Sequence, residues 1–336
     1  MTLRPAHDHP APATPPRRRR ATLITVCAGA MLAATALPAT ALPVTALPAT
    51  APPISADQAG GHNGGHDDGH DRPAEAARAV TPRIGHYAAL GDSFSSGLGI
   101  PDRTDAICGR SDHNYPTLVA GAVGARESTD VTCAGAETRH LTEVQNTAAP
   151  QIDAVRPDTS VVTVGIGGND LDLAGIIGRC VLLAHLNPQG SPCKNSFTLF
   201  GRDEIGSRIN TTAPKVAGAL RAVRSKSAQA EVLVVGYPAI VPDDGSACRE
   251  TIPLAVGDFA WLRDKTRQLN TMLAQQAAAH GATFIDTYSP SVGHDACKPP
   301  GVRWLEPTET EAGAGFHPNA AGHRSTAETI VAALSD

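Results

Sequence analysis

Aromatic side chains are scarce in this sequence: two Trp, four Tyr and six Phe in 336 residues. Sugar-binding sites are usually floored by aromatic rings, so a carbohydrate platform is a poor fit. No two cysteines form a Cys-x-x-Cys pair, which weighs against a structural zinc site. Beyond the first forty residues no apolar run reaches the length of a membrane span. No repeat of the kind that builds solenoids or propellers recurs along the chain.

The N-terminus carries Arg17 to Arg20, then an apolar run Ala21 to Ala36, then Ala39-Thr40-Ala41. Charged, apolar and Ala-x-Ala segments in that order predict a secretory signal peptide over residues 1–41 and a secreted protein. Its removal takes away Arg4, Arg17, Arg18, Arg19, Arg20 and Asp8. The remainder has 23 basic and 32 acidic side chains, a net charge of −9 with histidines neutral. Such a surface argues against nucleic acid and against electrostatic docking on anionic lipid. Residues 42–82 are rich in Ala, Pro, Gly, His and Asp and should form a disordered linker. His62, His66 and His70 recur there every fourth residue, but the glycines between them would break any helix holding them together, so no metal site is expected.

Cys27 falls in the leader. The other six cysteines form an even set in an exported chain, which favours disulfides. Fifteen pairings are open. Sequential pairing is expected, Cys108–Cys133, Cys180–Cys193 and Cys248–Cys297, because each bond then staples one loop between neighbouring elements.

The folded part is expected over residues 83–336. Apolar, β-branched runs predict strands at His86–Leu90, Asp130–Cys133, Ser160–Gly165, Glu231–Tyr237 and Ala282–Tyr288. Helices are predicted at Tyr115–Val123, Leu171–Ala184, Asp203–Val223 with a break at Pro214, Asp258–Ala279 closed by Gly281, and Pro318–Leu334. Strands alternating with helices define an α/β domain with a parallel sheet of about five strands covered on both faces.

Open α/β sheets place ligands at the carboxyl ends of their strands. Three such ends carry Gly91-Asp92-Ser93, Ala134-Gly135-Ala136 and Gly168-Asn169-Asp170, and Phe316-His317-Pro318 precedes the last helix. A serine hydroxyl needs a base for its proton and donors for the charge that develops on the attacked carbonyl. Ser93 and His317 can supply the first two. The main-chain N–H groups of Ser93 and Gly135, with the Asn169 amide, can supply the donors. Asp92 and Asp170 read as structural hydrogen-bonders beside them, and His323 as a helix-packing residue. A rival reading, a flavodoxin-like module cradling a phosphate or flavin on Gly91 to Gly99, leaves Asn169 and His317 without roles.

These four blocks, in this order, resemble the SGNH hydrolases, or GDSL lipases and esterases. The nearest likeness is to their secreted, three-disulfide actinobacterial branch, and it covers the chain from Ile84 onward. The resemblance implies a flavodoxin-like three-layer α/β/α fold and hydrolysis of carboxylic esters without cofactor or metal. It implies Ser93 as nucleophile, His317 as base, and Ser93, Gly135 and Asn169 as the oxyanion hole. The implied substrate is a small-molecule or lipid ester, with acetylated polysaccharide as an alternative. A monomer without an obligate protein partner is expected. The family usually places an aspartate three residues before the histidine; here that residue is Ala314. Some members of this branch use a main-chain carbonyl instead, so the Ala314 carbonyl is expected to orient His317, with Glu309, Glu311 and Asp295 as competing acids.

Overall fold

The computed structural model describes residues 84–307 and 310–335. The leader, the linker with His62, His66 and His70, and Glu309 lie outside the described residues. In chain order, β1 (His86–Gly91) runs into the single turn α1 (Ser93–Ser96). A short antiparallel ribbon, β2 (Arg103–Asp105) and β3 (Arg110–Ser111), precedes α2 (Tyr115–Ala122) and β4 (Glu127–Asp130). Two 3₁₀ turns, Thr138–Leu141 and Gln151–Ala154, lead to β5 (Val161–Gly165). Helices α3 (Leu173–Ala184), α4 (Pro192–Phe197) and α5 (Glu204–Lys226) follow. Then come β6 (Glu231–Val235), α6 (Asp258–Ala279), β7 (Thr283–Ile285), α7 (Tyr288–Ser291) and α8 (Ala320–Ala333).

Five strands form one parallel sheet in the order β4-β1-β5-β6-β7. Successive residues of each strand point to opposite faces. Tyr87, Ala89, Leu233 and Val235 pack with Tyr115, Val119, Ala327 and Ile330 of α2 and α8. Ala88, Leu90, Val162, Val164, Val232 and Val234 pack with Val216, Leu220, Leu269 and Leu273 of α5 and α6. Both faces of the sheet are therefore dry, which is why these strands read as unbroken apolar runs. The chain order reverses between β1 and β5, and a crevice opens at that switch point.

The structure departs from the sequence reading in several places. β4 lies three residues earlier than Asp130–Cys133, and its residues Glu-Ser-Thr-Asp are polar because it is an edge strand. Val131 and Cys133 still donate to Ala89 and Gly91 of β1 at 3.1 and 3.0 Å. Pro214 does not break α5. It sits on the exposed side, as does Asn210, whose carbonyl loses its helical donor and can turn to water. β6 ends before Tyr237 because the Tyr237 N–H is taken by the Asn270 side chain at 2.8 Å. β7 ends before Tyr288 because Asp286 accepts from the N–H groups of Tyr288 and Ser289 and starts α7. The ribbon and α4 carried no signal strong enough to assign.

Three disulfides join Cys108 to Cys133, Cys180 to Cys193 and Cys248 to Cys297. The first ties the ribbon to the loop after β4, the second ties α3 to α4, and the third links the loops after β6 and β7. Each is worth about 2–4 kcal/mol.

Candidate active site

β1 ends at Gly91, paired in register with Gly165 of β5. A side chain at Gly91 would run into Ser95, and its backbone is held by Gln151, which accepts from the Gly91 N–H at 2.8 Å and donates to its carbonyl at 3.0 Å. The next residue, Asp92, donates its N–H to the Gly165 carbonyl at 3.0 Å and caps α1 by accepting from the Phe94 N–H at 2.9 Å. Ser93 is thus the first residue of a turn anchored to two neighbouring strands.

His317 arrives on a loop. Phe316 holds a left-handed backbone, φ 60, which turns the imidazole back toward the sheet. Its Nε2 lies 2.8 Å from Ser93 Oγ, and its Nδ1 lies 2.7 Å from the Gly315 carbonyl. A carbonyl can only accept, so Nδ1 carries the proton and Nε2 presents its lone pair to the hydroxyl. The expected orienting group is therefore corrected: it is Gly315, not Ala314. The Ala314 carbonyl is occupied by the main-chain N–H of His317 itself, at 3.2 Å. Of the competing acids, Glu311 is exposed and Asp295 accepts from the Cys297 N–H at 3.0 Å, neither meeting the ring. Burial lowers the pKa of His317 below its usual 6.5, opposed only by the bond to Gly315.

The loop is braced at its base. Glu306 accepts from Arg303 Nε at 3.0 Å, Asn319 Nδ2 at 2.8 Å and Thr310 Oγ1 at 3.0 Å. Its main chain pairs with the loop: Glu306 donates to the His317 carbonyl at 3.0 Å and accepts from the Phe316 N–H at 2.6 Å. Burial pushes the Glu306 carboxyl up, but the bonds from Arg303, Asn319 and Thr310 outweigh it and hold the group below its ordinary value.

The other two blocks meet the same rim. Asn169 donates one amide hydrogen to the Ala136 carbonyl at 2.9 Å, which leaves the second for the cleft it lines. Asp170 accepts from the N–H and hydroxyl of Thr138 at 2.8 and 2.7 Å and pairs with Lys215 at 3.2 Å, tying the two loops together. Gly135 has φ 77, and among the described residues its N–H meets no acceptor. Gln145 donates to the Ala134 carbonyl at 2.8 Å. That carbonyl and the Gly135 N–H belong to one planar peptide and point opposite ways, so Gln145 fixes the direction of the N–H.

The sequence reading passed over Tyr237. Its buried hydroxyl donates to Asp92 at 2.5 Å and accepts from the Gly168 N–H at 2.7 Å, joining the serine block to the asparagine block. Burial lifts the Asp92 carboxyl to about 7 against the bonds from Tyr237 and Phe94. The Tyr237 ring meets Phe94 edge-on at 5.1 Å, and Phe94 lies 4.9 Å from the His317 ring. Its position two residues past β6, at the same sheet edge, was the signal available.

A cleft of about 340 Å³ opens over Ser93, Asn169 and His317, walled by Phe94, Leu173, Ile177, Val181 and Phe316. A smaller apolar cavity of about 30 Å³ adjoins it, sharing Leu173, Ile177, Tyr237 and Phe316 and continuing to Ile205, Leu254 and Leu269.

A parallel sheet with a histidine-bonded serine at its switch point is an arrangement suited to ester hydrolysis. The GDSL-like Lipase/Acylhydrolase family matches residues 89–325, and the chain belongs to that family. Lipase 2 of Streptomyces coelicolor is 41% identical over 266 residues, covering 77% of this chain and 88% of that one. The lipase of Streptomyces rimosus is 30% identical over 252 residues, 74% of this chain and 86% of its own. The crystal structure of phospholipase A1 from Streptomyces albidoflavus superposes with a TM-score of 0.58 at 27% identity, covering 74% of this chain and 99% of that one. The protein is a carboxylic ester hydrolase with the three-layer α/β/α fold of its family.

Proposed function

We propose that Ser93 is the nucleophile, His317 the base, and the N–H groups of Ser93 and Gly135 with the Asn169 amide the oxyanion hole. The reading rests on one observation above all, the 2.8 Å contact between Ser93 Oγ and an imidazole nitrogen whose tautomer is set by Gly315. Ser93 Oγ attacks the ester carbonyl while Nε2 takes its proton, and the carbonyl oxygen becomes an anion facing the three donors. As the intermediate collapses, the C–O bond to the alcohol breaks and His317 returns the proton to the leaving oxygen. Water then repeats the sequence on the acyl-enzyme, releasing the acid and restoring Ser93. The Gly315 carbonyl stabilises the imidazolium that forms between the two proton transfers.

The substrate class follows from the walls. Leu173, Ile177, Val181 and Phe316 and the adjoining apolar cavity suit an acyl chain, and the aromatic rings at the cleft, Phe94, Tyr237 and Phe316, stand among these aliphatic walls. A lipid ester is therefore favoured over an acetylated polysaccharide. The protein acts after export as a monomer, with residues 1–41 as signal peptide and 42–82 as linker.

The test is hydrolysis of p-nitrophenyl esters from acetate to palmitate, with a serine-directed phosphonate as inhibitor. Activity beyond hexanoate, with the label found on Ser93, is expected. A peak at acetate with nothing beyond hexanoate defeats the lipid assignment, and a label elsewhere defeats the nucleophile.

A further inference from the structure

The stretch from Leu173 to Arg202 contains no Asp or Glu and carries Arg179, Lys194 and Arg202, in a chain of net charge −5. Four exposed large apolar side chains fall in it: Leu182 at 69%, Leu186 at 79%, Leu199 at 57% and Phe200 at 99% of full exposure. Phe200 also holds a left-handed backbone, φ 55, which costs energy for an L-residue and is repaid by no contact of its ring.

These side chains adjoin the cleft. Ala174 and Gly178 of α3 line it, Leu182 follows at the same four-residue spacing, and Leu186 lies in the turn just past the end of the helix. Helix α4 lies against α3 through the Cys180–Cys193 bond. The Arg179 guanidinium sits 4.5 Å over the Phe197 ring, which joins α3 to the segment that carries Leu199 and Phe200.

The bordering acids are already satisfied. Asp258 accepts from the N–H groups of Cys193 and Lys194 at 3.0 and 2.9 Å. Asp203 pairs with Lys265 at 2.5 Å and Glu204 with Arg208 at 2.6 Å, while Asp172 caps the Gly175 N–H at 3.2 Å. Asp203 and Glu204 are paired, while Asp172 and the buried Asp258 keep their charges, so the three cations of the stretch leave a rim that is apolar with a small cationic excess. Over a screening length of about 8–10 Å this local charge outweighs the net charge, which pointed away from anionic lipid.

We propose that this rim docks the enzyme on an anionic phospholipid bilayer. Leu182, Leu186, Leu199 and Phe200 enter the interface, Lys194 and Arg202 face headgroup phosphates, and an ester lipid passes into the cleft along α3. The inference rests on the lipid-ester reading of the site.

The test uses the exported protein, without residues 1–41, carrying Ser93→Ala, so that vesicles are not consumed and the basic, apolar leader does not bind them. Co-sedimentation is measured with vesicles of phosphatidylcholine and of equimolar phosphatidylcholine and phosphatidylglycerol. Preference for the mixed vesicles is expected. The double variant Leu182→Ser/Phe200→Ser should weaken binding about tenfold or more. Lys194→Gln and Arg202→Gln should each cost about fivefold on mixed vesicles, with the loss erased at high salt. With Ser93 intact, all four substitutions should leave p-nitrophenyl butyrate hydrolysis unchanged and slow hydrolysis of vesicle phospholipid. Absence of vesicle binding, or binding indifferent to the substitutions, overturns the proposal. So does a shift from dimer to monomer in sedimentation of the double variant, which would make the rim a self-association surface. Failure of the wild type on p-nitrophenyl butyrate would count against the esterase site instead, because vesicle binding is read on an inactive chain.

Discussion

Ser93 and His317 reach the same 2.8 Å contact by opposite routes. Ser93 hangs from β1, all six residues of which are buried, and its position follows from strand pairing plus the Gln151 clamp on Gly91. His317 comes from a long connection between α7 and α8, where polar side chains substitute for a ladder: Glu306 gathers Arg303, Thr310 and Asn319 and pairs with His317 through its main chain. Burying a Val or Leu stabilises by roughly 1.5–3 kcal/mol, so a strand holding several such residues does not move locally. A loop held by one carboxylate can be released by a single proton or substitution. The proposed nucleophile is therefore fixed by the core, and the proposed base by a latch.

The largest expected effect is on the pair itself. Ser93→Ala or His317→Ala should lower kcat by about 10⁴-fold or more with the fold intact, and near-wild-type turnover in either would end the comparison. Asn169→Ala should cost about 10²–10³ in kcat with little change in KM, and Gln145→Ala, acting only through the Gly135 peptide, about tenfold. Glu306→Gln sharpens the contrast: it should lower kcat by on the order of 10² and reduce the melting temperature, because Arg303 loses its counter-charge. The Glu306 pKa is lower in the folded state, so its stabilising contribution is present above about 4.5 and is lost as pH falls through the folded value. The matching prediction for His317 concerns activity: kcat/KM should fall on the acid side with a midpoint below 6.5, as burial of an imidazole without a carboxylate partner requires. The smallest effects are expected for Glu311→Ala and Asp295→Ala, each within about twofold in kcat; a loss of several orders at either would restore an acid in place of the Gly315 carbonyl.

The same division explains what could be read in advance. Runs such as Val161–Gly165 are apolar because both sheet faces are covered, so the central strands were visible in composition alone. β4 was misplaced because an edge strand has no such run, and Pro214 misled because a helix can lose one hydrogen bond on its wet side. The site blocks were legible since each sits at a chain turn that demands Gly, Asn or Ser. Tyr237 was not, because its role depends on Asp92 and Gly168, partners 145 and 69 residues away.

Local sequence thus determined which residues are proposed to carry the chemistry: a hydroxyl, an imidazole and an amide, each at the end of a predictable element. Which acceptor holds the imidazole was decided only by folding. Ala314 and Gly315 offer chemically identical carbonyls one residue apart, and the left-handed turn at Phe316 gives Ala314 to the backbone and Gly315 to the ring. Hydrogen-bond direction is a property of three-dimensional position, and no composition or spacing encodes it.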